Sequence, residues 1–167
     1  MKRSGARNSG LLDINNTEIY GKGMAAFGRE GAKAPLKIIH ASSSQFGYQG
    51  FIHLNEFPEL EELHISGSSV TDGSMGGLTG QRNLRVVRLG GNMISDAGVK
   101  MLSPANPVVE LDLSKNQGVS DKCLQRLKSF RELKSLNVDD TSCSLKGVQT
   151  QKKALPDCEI QFQQQRF

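Results

Sequence analysis

The sequence predicts an α/β fold, a right-handed solenoid with one parallel sheet on its inner side and short helices on its convex side. Three observations carry that expectation. A set of apolar residues returns at a step of 24 or 25 residues along the chain. The first half of each copy alternates apolar and polar, as a half-buried strand does. The second half opens with a turn signal and continues at helical spacing.

The stretch LRVVRLGGNMISDAGVKML, Leu84 to Leu102, holds one whole copy. Leu84, Val87, Leu89 and Asn92 return as Leu60, Leu63, Ile65 and Ser68, and again as Leu36, Ile39, Ala41 and Ser44. They recur as Val108, Leu111, Leu113 and Asn116, and then as Leu133, Leu136, Val138 and Thr141. A weaker first copy keeps Leu12, Ile14 and Thr17 and puts Ser9 where leucine is expected. The inward residues of the front half, such as Val87 and Leu89, sit two apart, so one face is buried and the other stays free. Ile94, Val99, Leu102 and their equivalents return over the back of the sheet as a short helix. The Asn92 row carries short polar side chains able to bond backbone groups where the chain leaves the strand. No copy can bury both faces alone, so stability comes from stacked neighbours.

This reading gives six repeats plus a capping strand over residues 9–162. Strands are expected near Ile14, Ile39, Leu63, Val87, Leu111 and Leu136, with the cap near Ile160, where Ile160 and Phe162 alternate with Glu159 and Gln161. Residues 1–8 form a basic N-terminal tail, and 163–167 (QQQRF) a C-terminal tail expected to fray or to be held by a partner.

The repeat length and the pattern L-x-x-L-x-L-x-x-N resemble leucine-rich repeats. After the asparagine row the chain reads VTDGSM, ISDAGV and VSDKCL, which resembles the ITDxGL of the ribonuclease-inhibitor-like and F-box-type repeats. The array is also similar to the small one in coupling factor B of mitochondrial ATP synthase. The resemblance covers about Ser9 to Phe162 and implies a non-catalytic interaction or assembly module. Two departures mark atypical terminal units: FGYQGF lacks the aspartate, and Gln151 stands where Leu127 aligns. Eight residues precede Ser9, so neither an F-box nor a ligase-adaptor role is expected.

Composition narrows the classes. The chain has 167 residues, 37% hydrophobic and 23% charged, which suits one globular domain. With no Trp and 5% aromatics, the core must be built from Leu, Ile, Val and Met. No apolar run of about 18 residues exists, so no membrane span is expected. The start, MKRSGARNSG, is basic but leads into no apolar region, so it is no secretory signal; it is compatible with a short mitochondrial presequence. Cys123, Cys143 and Cys158 are odd in number and lack C-x-x-C spacing, so neither a disulfide framework nor a zinc site is expected of them. An intracellular location, cytoplasmic or mitochondrial, follows.

Candidate chemistry lies on the free face of the strands. The residue between the two inward ones runs Asp13, His40, His64, Arg88, Asp112, Asn137, flanked by Glu62, Val86 and Glu110. These nine are the expected partner-binding residues. Neighbouring strands lie about 4.8 Å apart, so His40 and His64 are adjacent. A metal pair would need a third ligand, and Glu62 is the one near candidate. The preferred reading is a solvated polar ladder with Arg88 and Asp112 paired across strands, hence no metal and no cofactor. His53 is read as a surface histidine. Cys123 and Cys143 read as core fillers, and GSMGGLTG lacks the Lys-Ser/Thr of a phosphate loop. No active site is expected.

Charge is unevenly spread. From Lys115 to Lys153 there are nine basic and four acidic residues, against a net +4 for the whole chain. Lys122, Arg126, Lys128 and Arg131 on the convex side are candidates for an acidic partner or an RNA backbone, with no aromatic interleaving to stack bases. The first strand has an open edge. Lys2, Arg3 and Arg7 are expected to dock that end against acidic protein or phosphate, unless Tyr20, Met24 and Phe27 fold over it. The leading expectation is a protein-protein interaction or assembly module. The alternative is a basic accessory subunit of a ribonucleoprotein or mitochondrial energy-transducing complex.

Overall fold

The computed structural model describes residues 10–16 and 36–167. Its strands are β1 (Leu11–Asp13), β2 (Ile38–His40), β3 (Glu62–His64), β4 (Val86–Arg88), β5 (Glu110–Asp112), β6 (Ser135–Asn137), β7 (Glu159–Phe162) and β8 (Gln165–Arg166). They form one eight-stranded sheet in sequence order. Every pairing from β1 to β7 is parallel. The register stacks Leu12, Ile39, Leu63, Val87, Leu111, Leu136 and Ile160 in one inward row, buried from Ile39 onward and half-buried at Leu12.

The first strand is centred on Leu12, not on the expected Ile14. Ile14 is the next inward residue, just past the strand, where its N–H donates to His40 O at 2.8 Å. It therefore matches Ala41, which bonds His64 O in the same way.

The outer side carries helices α1 (Gly47–Phe51), α2 (Asp96–Val99), α3 (Asp121–Leu127) and α4 (Leu145–Ala154), with 3₁₀ turns at Leu54–Glu56 and Ser74–Leu78. Their apolar faces meet the sheet row in one core: Ile94, Val99 and Leu102 are as buried as Val87 and Leu89. The aspartate after the Asn92 row links each helix to the next. Asp72 accepts from the N–H (2.7 Å) and the hydroxyl (2.5 Å) of Ser95. Asp96 does the same for Ser120, and Asp121 for Ser144. These serines are the N-caps of α2, α3 and α4, so each carboxylate orders the next repeat's cap. A Cβ at Gly98 or Gly147 would run into the Asp72 or Asp121 carboxylate, whereas Cys123 stands at the same place beside Asp96, with its N–H donating to that carboxylate at 3.2 Å. In the second unit Gly47 takes the capping serine's place and Tyr48 the aspartate's, and α1 has no side-chain cap.

The asparagine row forms an inner spine. The Asn92 Oδ1 accepts from Ser68 N (2.9 Å) and Val70 N (3.1 Å), while its Nδ2 donates to Ile65 O (2.7 Å) and Leu89 O (2.9 Å). Asn116 repeats this toward Ile94 N, Leu89 O and Leu113 O. Three residues past each strand the chain passes through the left-handed region, at Asn16, Ser43, Gly67, Gly91, Lys115 and Asp140. Only Gly67 and Gly91 do so without steric cost.

The end of the chain does not fray. After Phe162 it turns through Gln163 and Gln164, both at positive φ, into β8, which pairs antiparallel with β7. Ile160 and Phe167 exchange two backbone hydrogen bonds, and Phe167 rests 6.4 Å, ring to ring, from Phe162. Asp139 holds the turn by accepting from Gln164 N at 2.9 Å. Apolar Phe162 and Phe167 give these last residues a core to fold back on.

One buried side chain runs against this pattern. Gln151 is fully buried, and neither its Nε2 nor its Oε1 has a hydrogen-bond partner among the described residues. Preceding units place Leu54, Leu78, Leu102 and Leu127 there, all buried. Gln151→Leu should raise stability by about 1–3 kcal/mol, the cost of an unpaired buried amide. Urea unfolding checks this: the midpoint rises with an unchanged slope, whereas a fall would mean that the amide is bonded in solution.

Candidate functional site

Because a strand alternates sides, each strand from β1 to β6 turns its first and third residues outward. The register sets these in two columns: Asp13, His40, His64, Arg88, Asp112, Asn137, and beside it Leu11, Ile38, Glu62, Val86, Glu110, Ser135. The expected stripe and its flanking residues therefore share one face, to which β7 adds Glu159 and Gln161. No described element covers it. The two columns with β7 hold the carboxylates Asp13, Glu62, Glu110, Asp112 and Glu159 against the guanidinium of Arg88, so this face is acidic on a chain of net charge +4.

The contacts differ from the expected ladder in one respect. Arg88 Nε donates to Glu110 Oε1 at 2.6 Å, and not to Asp112. Asp112 is too short to compete and is already bound, its Oδ1 accepting from Ser114 N at 2.9 Å. The ring of His40 lies 4.4 Å from that of His64, tilted by 37°. His64 Nδ1 is 3.5 Å from Arg88 Nη1, and its Nε2 is 3.3 Å from Glu62 Oε2 but out of hydrogen-bond alignment. The His64 side chain is only 16% exposed. Burial first, then the charge of Arg88 and the nearness of His40, hold its imidazole below the ordinary histidine range. Donor atoms of His40, Glu62 and His64 all lie within 4.8 Å of one another. Asp13, in register with His40, is turned to its own loop and accepts from Asn15 N.

A feature the sequence reasoning missed borders this face. Ser42, Ser43, Ser66, Gly67, Gly90, Gly91, Asp112, Ser114 and Lys115 line an open notch of about 380 Å³. The signal was present: at the two positions after the strand's second inward residue, Gly90-Gly91 replaces the Ser-Ser of Ser42-Ser43 and the Ser-Lys of Ser114-Lys115.

The convex basic residues are less free than expected. Arg126 donates to Lys100 O at 3.0 Å and Leu102 O at 3.1 Å, tying α3 to the end of the preceding helix. Lys122 and Arg131 are exposed, and Lys128 shares a cleft between α3 and α4 with Asp121, Lys146 and Thr150. Lys2, Arg3 and Arg7, like Tyr20, Met24 and Phe27, lie outside the described residues. Cys123, Cys143 and Cys158 are unpaired and buried. Burial pushes all three thiols up, Cys143 and Cys158 to about 11, so they pack as apolar groups. His53 pairs with Glu56 at 2.7 Å on the outer side.

Residues 80–103, the repeat whose register and spine are described above, match the Leucine Rich repeat family. The fold is a leucine-rich-repeat solenoid. A leucine-rich-repeat protein of Leptospira interrogans has a similar structure, with a TM-score of 0.54 and 19% identity over 76% of this chain. The alignment spans 37% of that longer chain. The actin-binding site 2 of leiomodin-1 aligns with 93% of this solenoid and 72% of its own chain, at 11% identity and a TM-score of 0.42. No curated protein matches the chain. Among the described residues, no helix of the solenoid is long and apolar enough to cross a membrane.

Proposed function

We propose that this solenoid is a non-catalytic protein-interaction module that holds a partner segment on its open sheet face. The observation that carries the reading is that face itself: an acidic surface that no described element covers, on a chain of net positive charge. Its carboxylates suit a segment bearing Lys or Arg, and Leu11, Ile38 and Val86 offer apolar contacts beside them. Charge complementarity of this kind sets partner choice and association rate. The finer reading is a subunit of a larger assembly, built from ribonuclease-inhibitor-like or F-box-type repeats. The Asp72, Asp96 and Asp121 ladder supports that repeat class. A reducing compartment, cytoplasmic or mitochondrial, fits three unpaired buried thiols.

The test compares two charge reversals on opposite faces. Proteins captured by the wild-type chain should be lost with Glu110→Lys plus Asp112→Lys and kept with Lys122→Glu plus Arg131→Glu. Both variants should retain stability to within about 1 kcal/mol, because exposed pairs contribute little. The opposite pattern, with capture abolished by nuclease, would replace this reading with the ribonucleoprotein one.

A further inference from the structure

We propose that His40, Glu62 and His64 form a binding site for a divalent transition-metal ion with the ligand preferences of zinc. The interaction reading above does not require it, and it is tested without any partner.

The backbone builds the site. His40 and His64 are direct register partners on parallel β2 and β3, and Glu62 lies two residues before His64 on the same outward side. Their donor atoms are already within 4.8 Å of one another. Zinc with imidazole and carboxylate ligands has bonds of about 2.0–2.2 Å, so the three donors must close by roughly 1 Å, a shift that side-chain torsions provide. The strands need not move. His64 Nε2 is a buried nitrogen without an aligned partner and faces Glu62, an arrangement that calls for an explanation. A metal ion bridging it to the carboxylate supplies one. Two imidazoles and one carboxylate select zinc and its neighbours over magnesium or calcium, which prefer all-oxygen sites.

Arg88 opposes the ion and sets its affinity. Its Nη1 lies 3.5 Å from His64 Nδ1, so the guanidinium favours the tautomer with hydrogen on Nε2. Metal binding at Nε2 shifts that hydrogen to Nδ1 and turns the Nη1 group away, while the 2.6 Å bond from Nε to Glu110 keeps the side chain anchored.

Zinc calorimetry and cobalt(II) absorption on the full chain test the site. The expected result is a single ion per chain, with visible cobalt bands of a nitrogen and oxygen set. His40→Gln and His64→Gln should each weaken binding by at least the roughly tenfold that loss of an outer-sphere partner costs. Glu62→Gln, which keeps the side chain's shape, should weaken it too, and Arg88→Gln should tighten it. His53→Gln removes the other described histidine and should change nothing. The proposal fails if the wild type binds no zinc, or if the His40→Gln, His64→Gln double variant binds as the wild type does. A near-ultraviolet thiolate band with cobalt would also overturn it, by placing the ion on a cysteine.

Discussion

Replacement of Asn92 by alanine should lower the stability of the chain by about 3 kcal/mol or more. Its amide serves the amide hydrogens of Ser68 and Val70 and the carbonyls of Ile65 and Leu89 in the interior of the solenoid. Each buried group left without a partner costs about 1–3 kcal/mol, part of which is recovered if water enters. Asn92→Asp keeps the acceptor and, when the pH is low enough to protonate the carboxyl, offers one O–H in place of the amide's two N–H donors, so it should fall between wild type and alanine. Urea unfolding gives the numbers. A loss below about 0.5 kcal/mol for Asn92→Ala, the range of surface substitutions, would show that water replaces the amide and that the spine contributes little.

Truncation of Leu111 to alanine should cost about 2–5 kcal/mol by a different route, the empty volume left in a packed interior. Leu111 sits in the middle of β5, 1% exposed, between Val87 and Leu136 in the buried row. No polar group is stranded, so the loss should scale with the cavity, and Leu111→Met should recover most of it. Asp112→Ala, one residue on and facing outward, is the matched comparison: a change as large as that of Leu111→Ala would mean that the two sides of the sheet had been assigned wrongly.

Much of the fold was legible because the repeat averages out local ambiguity. Any one three-residue strand is too short to recognise, yet Ile39, Leu63, Val87, Leu111 and Leu136 at a step of 24 or 25 residues mark five of them together. The Asn92 row was legible for the same reason: a short polar residue at one place in successive copies has a shared backbone duty. The register of the first strand was legible in the match of Leu12 to Val87 and of Asp13 to Arg88, but its centre was set one inward residue too late, on Ile14, which is the more deeply buried of the two. The fold-back into β8 was missed because Gln163 and Gln164 carry no turn signal of the glycine or asparagine kind, though both adopt positive φ. On the open face, alternation told which side chains share a surface but not which touch. Arg88 reaches diagonally to Glu110 instead of straight to Asp112, and such a choice depends on side-chain length and on prior claims by the backbone, here the Ser114 amide.

Among the described residues, the two hydrogen-bonded ties, asparagine spine inside and aspartate ladder outside, do not run the whole length. Asn92 and Asn116 join the units of β3, β4 and β5, whereas Thr141 serves only Val138 and Cys143 within its own unit. The ladder begins at Asp72 and joins those units again through Ser95 and Ser120. The strands that carry His64, Arg88 and Asp112 are thus fastened on both sides, and among the described residues those toward β1 on one side at most. Stiffness is concentrated beneath the centre of the open face. A ligand seated there meets a surface that is already ordered and loses little conformational entropy on contact.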